Sequence, residues 1–231
     1  MKQLLTSAII LKRTDYSEAD RILTLLTPDY GKISLLAKGV RKVKSKLAGG
    51  IELFSVSEIT YIRGRGEVGT LLSTRLVRHY DKIVQDLQRT MLGYELIKRL
   101  NKVTEDEPEE DYFNLLRQAF EALNNFEVPL EFITFWFDAG LLRLSGHTPN
   151  LLTDKQGNKL EATLQYAFDY EYTAFRAAPG EGYFTATHIK FLRLAFAGNS
   201  PEVLCKIQGG NQLITDCQPL ASWMRSNMLA S

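Results

Sequence analysis

"LFSVSEITYIRGRGEVGTLLSTRLVRHY", residues 53–80, holds glycines 64, 66 and 69 in the spacing G-x-G-x-x-G. A dinucleotide-binding loop of that spacing needs a strand before it and a helix after it, so that the phosphates meet the helix N-terminus. Here strand-like sequence lies on both sides. Before the glycines the chain alternates, with Phe54, Val56, Glu58 and Thr60 on one side and Ser57, Ile59 and Tyr61 on the other. After them "GEVGTLLSTRLVRHY" reads as a further strand. The stretch is therefore a glycine-rich β-hairpin with Arg63 and Arg65 at its tip, and not a nucleotide cradle.

Working back towards the N-terminus, "SAIILKRT" (7–14), "DRILTLLT" (20–27) and "KISLLAKG" (32–39) read as three more strands. The polar break "DYSEA" and the turn "TPDYGK" separate them. Five short strands in about eighty residues indicate a small, partly open β-barrel of the OB type, a design that holds single-stranded nucleic acid. From Asp81 the period changes to 3.6. Ile83, Leu87, Met91, Tyr94, Ile97 and Leu100 form one stripe, and the acidic run Glu105–Asp111 ends it. A second helix carries Tyr112, Leu116, Ala119, Phe120, Leu123 and Phe126. A third, from Pro129 to Ser145, is apolar on most faces, as a helix among helices must be. Residues 150–184 read as turns and short extended pieces. Helical signals return at Thr187–Ala197, after Ser200-Pro201, and in a tail whose stripe (Leu213, Cys217, Leu220, Met224) is interrupted by Pro219. The expected class is α+β: an OB-type barrel over 1–80, then a mainly helical domain over 81–231 with an insertion at 150–184.

Composition is that of a soluble globular protein, with 45% hydrophobic and 24% charged residues. No apolar run approaches the roughly 20 residues that span a bilayer. The N-terminal apolar run meets Lys12-Arg13 with no small-residue cleavage site, so export is rejected and the cytoplasm is expected. The net charge of +1 conceals an asymmetry. Residues 1–80 carry 14 Lys and Arg against 7 Asp and Glu, and the remainder 14 against 20. Such a division suits a polyanion-binding first part and a different task for the rest.

The positive charge is concentrated in "AKGVRKVKSKLAGG", residues 37–50, where Lys38, Arg41, Lys42, Lys44 and Lys46 fall within nine positions with no acid among them. The loop joins two barrel strands, and Lys12, Arg13, Arg63, Arg65, Arg75 and Arg78 flank it. Cations on such a loop neutralise phosphates without reading sequence. Tyr61 and other strand aromatics are candidate base-stacking groups, with the same pattern expected of core aromatics.

Catalytic signals are missing from the sequence. There is no Walker loop and no H-E-x-x-H, and His79, His147 and His188 are scattered. The acidic run is read as a solvated loop. Cys205 and Cys217 fall short of a four-ligand zinc set and are read as buried thiols. No catalytic, cofactor-binding or metal-binding residue is assigned, and the chain is not expected to be an enzyme.

"YSEADRILTLLTPDYGKISLLAKGVRKVKSKLAGGIELFS" followed by "RGRGEVGTL" resembles the RecO family of bacterial DNA repair proteins. The order of a Ser-Glu turn, a strand ending in Thr, a Gly turn, a strand entering Lys-Gly-x-Arg, then Lys-Ser and a later Phe carries the likeness. "LLRLSGHTPNL" extends it, and it weakens after about residue 150. The resemblance implies an N-terminal OB fold, a helical domain, binding and annealing of ssDNA and dsDNA, and partnership with RecR and with the acidic, apolar C-terminal tail of SSB. Together these would load RecA onto coated DNA, which places the chain at the nucleoid. DNA-contact positions carried over are Lys38, Arg41, Lys42, Lys44 and Lys46, with Arg63 and Arg65. Many members carry C-x-x-C-G after a G-x-x-P-x-L element. Here that run is Thr153-Asp154-Lys155-Gln156-Gly157. Zinc is therefore expected to be absent, with Tyr166, Phe168, Tyr170, Tyr172 and Phe175 holding the region by packing. Two other classes stay open: an RNA-binding OB protein, and a protein adaptor that binds no nucleic acid.

Overall fold

The computed structural model describes residues 2–63, 66–104 and 110–229. Five strands come first: β1 (Gln3–Asp15), β2 (Arg21–Thr27), β3 (Gly31–Ala37), β4 (Ser55–Ile62) and β5 (Val68–His79). They form a closed barrel in the order β1-β2-β3-β5-β4. Closure depends on the length of β1. Its first half pairs with β4 from Gln3 to Ile9, and its second half pairs with β2 from Ile9 to Asp15. A bulge between Ile10 and Lys12 bends the strand where it passes from one partner to the other. The barrel is thus closed, where the sequence suggested a partly open one. Ala8, Ile10, Leu23, Leu25, Leu35, Ala37, Ile59, Tyr61 and Leu71 point inward and fill it. Of the glycine string, Gly66 lies between the antiparallel strands β4 and β5 and Gly69 lies in β5, with no helix after them; Gly64 is outside the described residues.

Two helices belong to the same compact unit, which runs to Phe126: α1 (Leu87–Val103) and α2 (Glu110–Leu123). Phe54 ties them to the barrel. Its ring packs edge-on against Tyr94 of α1 and Phe120 of α2, and Tyr80 also meets Phe120. Phe54 adopts a left-handed backbone (φ 55°), a conformation that costs a non-glycine residue about 1–2 kcal/mol. Gly93 gives its ring room: a Cβ there would sit 2.6 Å from Phe54 Cε1. The buried face of α1 is Arg89, Gly93, Leu96, Ile97 and Leu100. The expected stripe holds only at Ile97 and Leu100, since Leu87, Met91 and Tyr94 are exposed and Ile83 lies in a separate 3-10 turn. Arg89 is the reason. Its guanidinium donates to the carbonyls of Leu123, Asn125 and Phe126, capping the C-terminus of α2, and stacks on the Phe126 ring. A polar residue therefore occupies the core face and shifts the phase of the stripe.

The second unit, from Glu127, packs α3 (Leu130–Leu144) against α4 (Ala186–Phe196), α5 (Pro201–Cys205) and α6 (Gly210–Met228). Helix α3 buries ten of its residues, and Phe135 stacks on Phe191. The buried Asp138 accepts a hydrogen bond from Arg225 Nε at 3.1 Å. Helix α6 continues through Pro219, which faces solvent. A three-stranded sheet, β6 (Asn150–Asp154), β8 (Ala174–Ala177) and β7 (Tyr166–Asp169), occupies the inserted region. Phe175 is its centre, ringed edge-on by Tyr166, Phe168 and Phe184. Tyr170 instead packs on Trp223, and Tyr172 lies under the Lys155 ammonium.

Residues 153–157, where relatives are expected to carry C-x-x-C-G, form a turn built on a carboxylate. Asp154 accepts the backbone N–H groups of Gln156 and Asn158, both at 2.9 Å, and the Asn158 amide at 3.2 Å. Burial opposes its ionisation, but these hydrogen bonds together hold its pKa below the ordinary carboxylate value. Thr153 and Gln156 stand where zinc donors are expected, and the acid of the run, Asp154, is committed to backbone amides. The residues present do not fit zinc. Among the described residues no group of three or more His, Cys, Asp or Glu is placed to hold a metal.

Candidate nucleic-acid interface

The basic loop leaves the end of β3 and is fastened to the barrel at several points. Gly39, in the left-handed region at φ 66°, directs its N–H to Asp20 Oδ1 at 2.7 Å. The Arg41 N–H bonds the Ala19 carbonyl at 3.0 Å. Val40 and Ile51 are buried in the barrel cluster, and Leu47 packs partly against it. At the far end Gly50 lies against Thr74 of β5, whose hydroxyl donates to the Leu47 carbonyl. A Cβ at Gly50 would come within 2.3 Å of that side chain, so only glycine lets the loop rest on β5.

These anchors present the lysines outward. Lys38, Lys42, Lys44 and Lys46 are all exposed, and none forms an ion pair among the described residues. Val43, between two of them, is fully exposed. Arg41 differs from its neighbours: it donates to the Ser17 carbonyl and lies 3.5 Å from Asp15. It holds the loop to the β1–β2 turn, with part of its charge already met. The same turn exposes Tyr16, an aromatic whose lone position in a polar stretch carries no signal in the sequence.

The flanking cations separate by partner. Arg13 pairs with Glu52, and Arg75 forms a two-pronged pair with Glu58. Arg78 lies over Tyr80 and Arg63 over Tyr30. Arg65 lies outside the described residues. Tyr61 is fully buried, so its ring is core and not a stacking platform.

A cavity of about 330 Å³ opens on the barrel wall where β3 and β5 run parallel. The two strands pair over three residues only, Ser34 to Val68 through Leu36 to Thr70. Below that point they part, and Tyr30, Ile33, Leu35, Tyr61, Arg63 and Gly69 line the gap. No long-range pattern in the sequence marks a cavity that depends on where one ladder stops.

The model of the N-terminal domain of recombination protein O matches residues 1–80, the whole of the barrel sequence. Two DNA repair proteins RecO from Dehalococcoides mccartyi strains are 37% identical over 147 residues and 36% identical over 163 residues. One from Rhodopirellula baltica is 37% identical over 144 residues. Residues 1–80 thus match the RecO N-terminal domain, and the chain is similar to DNA repair proteins RecO over most of its length. These alignments cover 62–70% of the chain and 53–64% of the relatives' own length. The RecO N-terminal match ends at residue 80, whereas the compact unit containing it continues to Phe126, because Phe54 and Tyr80 bind α1 and α2 to the barrel. Among the described residues, no helix is long and apolar enough to cross a membrane.

Proposed function

We propose that this chain is a non-enzymatic recombination mediator of DNA repair. It binds ssDNA and dsDNA through the barrel and its basic loop, anneals complementary strands, and acts with RecR to help load RecA onto SSB-coated DNA. The observation that carries the DNA-binding part is the set of exposed lysines at 38, 42, 44 and 46, held outward by anchors at both ends of the loop and without ion pairs among the described residues. Phosphates supply the missing counter-charge, and the contact is indifferent to base sequence. Annealing follows from the same chemistry, because two strands repel until cations screen them. Arg63 joins the contact surface, and Arg41 acts chiefly by fixing the loop.

The SSB tail, an acidic segment ending in apolar residues, calls for cations next to apolar surface. Arg117 and Arg193 are less suited, being held by Glu121 and by the Leu151 carbonyl.

The test is annealing of SSB-coated complementary strands by the wild-type chain and by Lys42→Glu/Lys44→Glu/Lys46→Glu. The wild type should accelerate annealing and the variant should lose most of that effect. Equal acceleration by both would remove the loop from the mechanism. Stronger binding to RNA than to a matched DNA strand would favour a role in RNA handling.

A further inference from the structure

We propose that the cavity between β3 and β5 receives one unstacked nucleobase of a single DNA strand. The inference rests on the DNA-binding reading above and adds a base subsite to a surface otherwise made for phosphates.

Four features of the cavity point to a base. The first is a weakly met polar group: the hydroxyl of Tyr61, a fully buried residue, meets no described residue in good hydrogen-bonding geometry, and Arg63 is the charged group that faces it. Burial raises its pKa above the ordinary phenol value, with Arg63 opposing that shift, so the hydroxyl stays protonated and can both donate and accept. A buried hydroxyl left without a well-formed hydrogen bond is costly, and it calls for a partner. The second is a planar mouth. Arg63 lies 5.3 Å over the half-buried Tyr30 ring, and Tyr30 meets Tyr61 edge-on at 6.0 Å. Aromatic and guanidinium planes are the surfaces on which unpaired bases stack. The third is a mixed lining, in which Ile33 and Leu35 offer apolar contact to the ring of a heterocycle beside polar groups that suit its edge. The fourth is size: about 330 Å³ lies at the small end of ligand pockets, enough for one base and not for a stacked pair.

The surroundings discriminate further. Lys32 borders the cavity, but its ammonium is bonded to the carbonyls of Thr104 (2.6 Å) and Asn101 (3.3 Å), so it is a poor phosphate clamp. Glu67 stands at the rim and disfavours an anion there. Gly69 keeps the seam narrow, since a Cβ would lie 2.8 Å from both the Ile62 carbonyl and Leu35. A base in a duplex has its hydrogen-bonding edge occupied and its faces stacked, so it does not enter. The cavity therefore favours single strands, while the lysine loop serves both forms of DNA.

The experiment compares four ligands of equal length on the full chain: a thymine strand, the same strand made of abasic sugars, a matched RNA strand, and a duplex. Wild type should bind the thymine strand about tenfold more tightly than the abasic strand. Tyr61→Phe should reduce that ratio about threefold, and Tyr30→Ala should nearly abolish it; neither should change duplex affinity, which also confirms that the variants are folded. Equal wild-type affinity for the thymine and abasic strands would overturn the proposal, as would an unchanged ratio in both variants. A matched RNA strand binding tenfold better than the DNA strand would overturn the assignment to DNA. Failure of the DNA-binding reading itself looks different: no salt-sensitive binding of any strand, and no effect of the loop charges.

Discussion

Arg89 is a polar plug in the first unit, and its forked guanidinium spans three carbonyls at the end of α2. Arg89→Met should lower the stability of residues 1–126 by about 3 kcal/mol, because the carbonyls lose charged donors within the core. Arg89→Lys should not restore it, since a single ammonium cannot match the fork. Gly93→Ala should also destabilise, by about 1–2 kcal/mol: the clash with the constrained Phe54 ring exceeds the gain in helix propensity. Urea unfolding followed by circular dichroism measures both.

Burial pushes the Cys217 thiol up to about 12, with Asp216 adding to the effect. In the unfolded chain it ionises near its ordinary value of 9. Between those values only the unfolded chain releases the proton. The contribution to stability is therefore complete below pH 9 and falls as the pH rises towards 12. Both tryptophans, Trp136 and Trp223, belong to the second unit and report its unfolding by fluorescence. Cys217→Ala should flatten the decline in stability between pH 9 and 12. Tyr80, pushed up to about 12 mainly by its burial, gives the first unit a similar decline that begins near pH 10.

At the scale of elements, the barrel was legible because strand alternation is local. Ile59 and Tyr61 face the core as the period of two requires. Closure was not legible, since it depends on β1 exchanging partners at the bulge after Ile10, a tertiary event. The α1 stripe was misread because Arg89 occupies the core face while Leu87 and Met91 face solvent. The loop lysines were legible as charge, but their exposure and the anchoring role of Arg41 depend on Asp15, Ser17 and Asp20, which lie some twenty residues away in the chain. The turn at 154–158 is held without a metal: a carboxylate gathers the backbone amides. Asp154→Ala should destabilise the second unit by about 1–2 kcal/mol. Added zinc should stabilise neither form in thermal unfolding; stabilisation of the wild type by stoichiometric zinc would contradict the turn's description.

For the whole molecule, near-neutrality is the sum of a basic first part and an acidic remainder, and the two parts call for different partners. The excess cations of residues 1–80 converge on one loop of a closed barrel, while several others are spent on Glu52, Glu58 and Asp15. Exposed lysines without acidic partners are the surface most able to exchange counterions for phosphates.

The central claim is that these loop lysines grip the DNA backbone, and the salt dependence of single-strand binding tests it most directly. The wild-type affinity should fall steeply with salt, and replacing Lys42, Lys44 and Lys46 by Glu should weaken binding at low salt and reduce the log–log slope by about 2. An unchanged affinity and slope in the variant would contradict the account.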